Sequence, residues 1–375
     1  MSWDGLRELA GFRAEKGCAI SLYVDLDPSV SPTAGDAATR INSLLTEGTQ
    51  RVEAAHELTH EQREALRADL ARIREFFDAG FDRDGLRGAA VFSAGLDNVW
   101  RTLRLPEAVP DRISIGREFY LAPLVPLVSR GDGALVAVVG RERGNVYVVR
   151  GGRLDEVVDQ FDEQPGRHDQ GGWSQARYQR HIESLVHEHL KEVAEQLDRR
   201  VRRLQSPRVV VIASEETRSE LGGIFSNEVK NAIVGWAQAE AHATAADLLG
   251  VARPMLEEWH GRQEQEAVER WREEAGRGGR AASGWHETLE AASDGRVELL
   301  LFEEGTDRGA WQCPRCGRVS ASGGACPLDG TRMEERDDGL NLAVQQTLAH
   351  GGSVLALRHY RDLDPVEGIG ALLRY

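Results

Sequence analysis

The sequence predicts an α/β protein of several domains, on three observations. Strand-sized apolar runs such as Leu135–Val139 and Val209–Ala213 alternate with charged stretches whose apolar residues recur at helical spacing. The 375 residues exceed what one compact domain usually holds, at roughly 100–200 residues each. With 41% hydrophobic and 29% charged residues the chain can bury real cores, yet no apolar run approaches the ~18 residues of a membrane helix.

Taken in order, Ala19–Asp25 reads as a strand, and a Pro/Ser turn (Pro28, Ser31, Pro32) leads into a helical stretch over 36–77. Gly48 is expected to break that stretch, and Thr59, with Gln62 three residues on, has N-cap character. Residues 88–93 predict a strand, and 94–127 a Pro-punctuated irregular segment. A boundary is expected at 129–133. Residues 134–139 and 145–150 then form a hairpin, 159–174 an exposed loop, and 175–204 a long helix with Ile182, Leu185, Val186, Val193, Leu197, Val201 and Leu204 on its apolar face. Val209–Ala213 is a buried strand followed by a helix from Ser214. A charged helix spans 252–272, a Gly/Arg/Ala/Ser-rich connector 276–284, and a last α/β unit follows: helix 285–293, strand 297–302, a cysteine-bearing insertion, helix 340–350 and strand Ser353–Leu357.

Charge narrows the function. The 46 basic against 61 acidic side chains give −15, which argues against indiscriminate wrapping of nucleic acid, since that binding runs on Lys/Arg neutralising phosphate. A local basic face is still allowed. Residues 1–5 show no basic region followed by an apolar one, so a cytoplasmic protein is expected. Cys18, in an apolar strand-like stretch, reads as a small buried residue. His168, His181, His187 and His189 read as polar helix and loop residues rather than catalysts.

Three cysteines cluster as Cys313-Pro314-Arg315-Cys316 and Cys326-Pro327-Leu328-Asp329-Gly330. Cys-x2-Cys places two thiolates on a tight knuckle that a tetrahedral zinc ion accepts, and Gly317 permits the turn. The second knuckle carries Asp329 where a fourth cysteine would stand. The expectation is a zinc ribbon with ligands Cys313, Cys316, Cys326 and Asp329 and a structural Zn2+; a ribbon that has lost its metal is the competing reading.

The second constellation is Arg167-His168-Asp169-Gln170-Gly171-Gly172-Trp173-Ser174-Gln175-Ala176-Arg177-Tyr178-Gln179-Arg180. Gly-Gly on a loop before a helix lets backbone approach another molecule closely, although Ser174 could simply cap the helix. Arg177 and Arg180, three apart, share a helix face, and Arg167 precedes the loop. Between 165 and 203, eight Arg/Lys outnumber six Asp/Glu, against the chain's average. An exposed Gly-rich tip flanked by arginines suggests insertion into RNA.

This segment resembles the Gly-Gly-Gln loop and following helix of archaeo-eukaryotic class-1 peptide release factors, of Pelota and of the related ribosome quality-control peptidyl-tRNA hydrolases, most of all their bacterial branch. Gly368-Ile369-Gly370-Ala371-Leu372-Leu373-Arg374-Tyr375 is similar to the Gly-Ile-Gly-Gly-Ile-Leu-Arg-Tyr signature of the release factors' last domain, and 288–304 is similar to the helix–strand pair before the archaeal zinc ribbon. The resemblance implies three domains: 1–128, an α/β ribosomal A-site domain; 129–251, an RNase H-like domain bearing the loop; and 252–375, an α/β domain with a zinc-ribbon insertion over about 311–333. It implies ribosome-dependent hydrolysis of the peptidyl-tRNA ester at the peptidyl-transferase centre. Gln175 would position water, Gly171 and Gly172 would give backbone access, and Arg167, Trp173, Ser174, Arg177 and Arg180 would contact RNA; a translational GTPase is a possible partner, and no membrane is involved.

Two departures stand out. Trp173 and Ser174 separate Gly172 from Gln175, so Gln170 is the rival glutamine. The stop-codon-reading Asn-Ile-Lys-Ser motif is absent from 1–128, which points to stop-independent action. The alternatives are a non-hydrolytic Pelota-like or hibernation factor in the A site, and a zinc-ribbon protein of transcription.

Overall fold

A computed structural model describes residues 3–83, 85–129, 133–150, 152–161, 173–204, 207–240 and 242–375, with side chains at all of these except 129, 150, 159–161 and 173–182. The chain folds as two units: Met1–Ser129 together with Gln263–Tyr375, and Arg130–Arg262.

The first segment runs α1 (Trp3–Ala10), β1 (Ala19–Asp25), α2 (Ala34–Ala54), α3 (His60–Asp78), β2 (Gly88–Ala94), β3 (Val99–Leu105), β4 (Arg112–Gly116) and α4 (Leu124–Ser129). Its four strands form an antiparallel sheet in the order β3-β2-β1-β4. Strands β1 and β2 read as continuous apolar runs because both faces are covered. Ile20, Leu22 and Val24 meet α2 and α3, while Tyr23 and Phe92 face the opposite core. Both helices open on capping boxes, Thr33 with Asp36 and Thr59 with Gln62.

Gly48 does not break α2. A Cβ there would lie 2.5 Å from Ile113 Cδ1, so the glycine lets the helix settle closely on the sheet. The stretch expected to be irregular holds β3 and β4, half-exposed strands whose arginines (Arg101, Arg104, Arg112) disguise the alternation.

The second unit holds β5 (Leu135–Val139), β6 (Arg143–Arg150), β7 (Arg153–Phe161), α5 (Trp173–Val201), β8 (Val209–Ala213), α6 (Glu215–Ile224), α7 (Asn227–Ala232) and β9 (Ile233–Ala237). The sheet order is β7-β6-β5-β8-β9, with β5, β6 and β7 antiparallel and β8 and β9 parallel to β5. Val186, Leu190, Val193 and Leu197 of α5 cover one face; Leu248, Leu249, Ala252 and Leu256 cover the other. Residues 159–161, expected in a loop, end β7, an edge strand whose polar side chains gave no apolar alternation. Helix α8 (Ala245–Gly276) runs through the expected boundary at 251/252, with Pro254 inside it.

The last segment contains β10 (Ala281–Ser283), α9 (Gly284–Ser293), β11 (Val297–Glu303), β12 (Ala310–Gln312), β13 (Val319–Ser320), β14 (Glu334–Arg336), α10 (Gly339–Ala349), β15 (Ser353–Leu357) and β16 (Ile369–Leu373). The main sheet is β10-β16-β11-β15 and the inserted one β13-β12-β14. The connector expected over 276–284 is therefore partly a strand: β10 pairs with β16, and the Trp271 indole N–H donates to Ala282 O at 3.0 Å. Gly370 sits where a Cβ would come within 2.8 Å of that indole nitrogen.

The first and last segments, expected as separate domains, share one apolar core. Phe119, Leu121 and Val125 lie in the same cluster as Leu289, Leu300, Leu342 and Val344. Asn341 Oδ1 accepts the Leu121 N–H at 2.6 Å, and the amides of Asn341 and Gln345 both donate to Phe119 O. With backbone groups of the first segment satisfied by buried side chains of the last, neither half is complete alone. Among the described residues no helix is long and apolar enough to cross a membrane.

Candidate functional site

The inserted sheet displays its cysteines on two matching turns. Cys313 follows β12 directly, its N–H bonding Arg318 O at 2.8 Å, while the Gly317 N–H returns to Cys313 O at 2.9 Å. The second turn repeats the pattern: Cys326 N–H to Thr331 O at 2.7 Å, Gly330 N–H to Cys326 O at 2.8 Å. Gly317 and Gly330 both take positive φ, +80° and +72°, a conformation a side chain resists. The two knuckles bring Cys313, Cys316, Cys326 and Asp329 together with all donor atoms within 4.8 Å of one another. All four residues named from the sequence are thus in one place.

The spacings suit a metal ion. Cys316 and Cys326 Sγ are 3.6 Å apart, and Cys313 Sγ lies 3.7 Å from each Asp329 oxygen. A tetrahedral zinc with bonds of ~2.3 Å to sulfur and ~2.0 Å to oxygen needs edges of about 3.8 and 3.5 Å. The electrostatics lean the same way. Burial opposes ionisation of Cys313, but backbone N–H groups of Cys316 and Arg315 outweigh it and hold the thiol below its usual range. Cys316 is pushed up to about 11, by burial first and then by its neighbouring thiols. The Thr331 N–H keeps Asp329 low and ionised. Three crowded sulfurs beside a carboxylate repel one another as anions, and a divalent cation relieves that repulsion.

The ribbon is held firmly in its unit. Ser293 Oγ exchanges hydrogen bonds with Val319 N and O, and Arg318 pairs with Asp294 at 2.6 Å. Gln346 Nε2 donates to Gly317 O at 3.1 Å. Arg13 reaches the first knuckle, with Nη2 3.4 Å from Pro314 O and Nη1 in an ion pair with Glu118 at 3.1 Å. A Cβ on Gly317 would stand 2.8 Å from Arg13 Nη1, a second reason for glycine there.

The glycine–glutamine constellation is a different matter. Arg167, Gln170, Gly171 and Gly172 lie outside the described residues. Trp173, Ser174, Gln175, Arg177 and Arg180 belong to the backbone of α5, and their side chains lie outside the described ones. Helix α5 opens at Trp173, two residues before the start read from the sequence, so Gln175 sits in its first turn. Ser174 is therefore inside the helix and not its cap. Sequence reasoning overlooked Arg13, which reaches the first cysteine turn from outside the insertion, and Arg336 on β14 within it.

Residues 120–257 match the model of a family described as bacterial archaeo-eukaryotic release factor family 10. Peptide chain release factor subunit 1 of Archaeoglobus fulgidus is 23% identical over 354 residues, spanning 88% of this chain and 84% of that one. Over these spans the chain is similar to release-factor/Pelota-like proteins. Its likeness to the same factor from Methanopyrus kandleri is 27% over 207 residues, where the match spans 53% of this chain and about half, 50%, of that relative. Among solved structures, archaeal translation termination factor aRF1 aligns over 100% of this chain and 99% of its own at 16% identity and TM-score 0.28. Archaeoglobus fulgidus Pelota aligns over 100% and 92% at 14% identity and TM-score 0.33. The span that matches the family model contains Gly171, Gly172 and all of α5.

Proposed function

We propose that this chain is a ribosome-dependent peptidyl-tRNA hydrolase of the cytoplasm that frees stalled ribosomes without reading a stop codon. The observation that carries this reading is the family match over 120–257, which spans Gly171, Gly172 and helix α5. A glutamine amide is neither a strong base nor a nucleophile. Gln175 acts by holding water against the ester carbon and by hydrogen bonding to the developing oxyanion. Gly171 and Gly172 leave the backbone N–H beside it free to approach the terminal adenosine of the tRNA. Arg167, Arg177 and Arg180 hold RNA phosphates, and Trp173 and Ser174 contact the same strand. The ribosomal A site and peptidyl-transferase centre supply the remainder of the active site, and a translational GTPase is the expected delivery partner.

The finer fold reading fits this role. The order β7-β6-β5-β8-β9, three antiparallel strands followed by two parallel ones, supports an RNase H-like central domain. Cys313, Cys316, Cys326 and Asp329 would hold a structural Zn2+, which supplies charge neutralisation and a cross-link to a small ribbon with little core of its own. The first segment, without a stop-codon motif, occupies the A site by shape.

One feature favours a second reading, a non-hydrolytic Pelota-like factor: Gln175 lies beyond Trp173 and Ser174, inside the first turn of α5. The discriminating experiment is peptide release from purified ribosomes stalled on a sense codon. The hydrolase reading expects free peptide with the chain present and none from ribosomes alone. Stable ribosome binding with no release would establish the Pelota-like role instead.

A further inference from the structure

The two cysteine turns have matching backbones in unequal surroundings. The first is tied down from outside: Arg13 Nη2 lies 3.4 Å from Pro314 O, Gln346 Nε2 donates to Gly317 O, and a Cβ on Gly317 would meet Arg13. The second stands clear. A Cβ on Gly324 or Gly330, which flank it, would meet nothing within 4 Å, and Leu328, between Cys326 and Asp329, is 68% exposed. Of the two, the second turn has room to shift.

The sulfurs are graded as well. Cys313 and Cys326 are buried, whereas Cys316 is exposed. Cys313 Sγ faces the Asp329 carboxylate, 3.7 Å from each oxygen, and accepts the Cys316 N–H at 3.5 Å. Cys316 Sγ instead faces Cys326 Sγ at 3.6 Å, from one turn to the other. An exposed sulfur beside a buried one is the arrangement of a reactive thiol with its resolving partner. A bound divalent cation would keep both sulfurs as thiolates.

We propose that Cys316 is an oxidative modification site, at which hydrogen peroxide joins Cys316 to Cys326 and the cluster exchanges its metal for a covalent cross-link. The Cys316 thiolate attacks one peroxide oxygen; an S–O bond forms, the O–O bond breaks and hydroxide leaves. The Cys326 thiolate then attacks the sulfenic sulfur; the S–S bond forms, the S–O bond breaks and a second hydroxide leaves. Two thiolates give up two electrons, and the peroxide takes them. Only Cys313 and Asp329 then remain as donors, too few for a tetrahedral ion. The new bond links one turn to the other, so it takes over the stapling of the ribbon, and the movement that closes it falls to the second turn. Loss of the ion rests on the zinc reading above; the pairing of the two cysteines does not.

The test uses the full chain, purified reduced and loaded with zinc, then exposed to a small excess of hydrogen peroxide. Trypsin separates the three cysteines into peptides 309–315, 316–318 and 319–332. Digestion without reductant is expected to give 316–318 joined to 319–332, while a chromogenic chelator records equimolar zinc release; dithiothreitol with added zinc should reverse both. Cys18→Ser should respond as the native chain does. In Cys326→Ser, Cys316 should go on to sulfinic acid for want of a partner. Mapping on the native chain decides the matter even if that variant fails to fold. A cross-link in a chain that never held zinc keeps the cysteine pairing and removes the zinc reading. A disulfide from 309–315 or from Cys18, zinc retained by the cross-linked chain, or full alkylation of Cys316 and Cys326 after peroxide would overturn the proposal.

Discussion

Asn341 shows how much a single side chain carries. It is buried, accepts the Leu121 N–H and donates to Phe119 O, so it satisfies two backbone groups that cannot reach water. Asn341→Leu should leave the Leu121 N–H unpaired, while Phe119 O keeps Gln345, and cost about 1–3 kcal/mol in urea unfolding. Gly317 carries a comparable load through its +80° φ and its contact with Arg13; Gly317→Ala should cost about 1–2 kcal/mol. At the cysteine cluster, the proposed zinc predicts one zinc per molecule in elemental analysis of the purified chain, and Cys313→Ser should abolish it. Asp329→Cys should retain zinc more tightly against a chelator, because thiolate replaces carboxylate. A chain purified without metal, or an Asp329→Cys variant that loses zinc faster, would contradict this assignment. Of this residue-level detail the sequence exposed the four residues of the cluster, since spacing encodes a knuckle. It did not expose Asn341, whose partners lie far away in the chain.

At the scale of elements, the helix caps offer a pair of contrasting tests. Thr59 caps α3 with an uncharged partner, Gln62, so Thr59→Ala should cost about 1 kcal/mol with little dependence on pH. In α2 the reciprocal partner is Asp36, whose carboxylate is held below 3.8 by the Thr33 hydroxyl and then by the Thr33 backbone N–H. A folded pKa below the unfolded value means that the unfolded state binds the proton first. The contribution is therefore present above the unfolded value and lost as pH falls through the folded one. Asp36→Asn should destabilise at neutral pH, and its deficit should shrink as acid unfolding is approached; a constant deficit would refute the assignment. Elements with strong periodicity were legible in advance: Ala19–Asp25, Val209–Ala213 and Ser353–Leu357 occupy the expected residues. Strands β3, β4, β7 and β10 were not. They are short or half-exposed edge elements, carry arginine, acidic or small residues, and gain their stability from pairing that no local window contains.

The whole molecule departs furthest from a linear reading. Boundaries drawn along the chain gave three domains, and the structure joins the first and last segments in one core around Phe119, Leu121, Leu300 and Leu342. Residues 1–129 expressed alone should consequently expose Phe119, Leu121 and Val125 and give a poorly dispersed NMR spectrum; a native-like spectrum would show that the shared core is dispensable. The fusion sets the cysteine insertion and the first sheet around one cavity of about 700 Å³, while most of the span matching the release-factor family model, 130–257, belongs to the other unit. The central claim remains hydrolysis. Its most direct test is single-turnover release of peptide from stalled ribosomal complexes by the native chain and by Gln175→Ala, with ribosome binding measured in parallel. The account predicts that the variant binds as the native chain does while release falls by about a hundredfold or more, the scale of losing one positioned oxyanion contact. Ribosome binding without release by the native chain would contradict it, whereas native release by Gln175→Ala would keep hydrolysis and assign the role to Gln170.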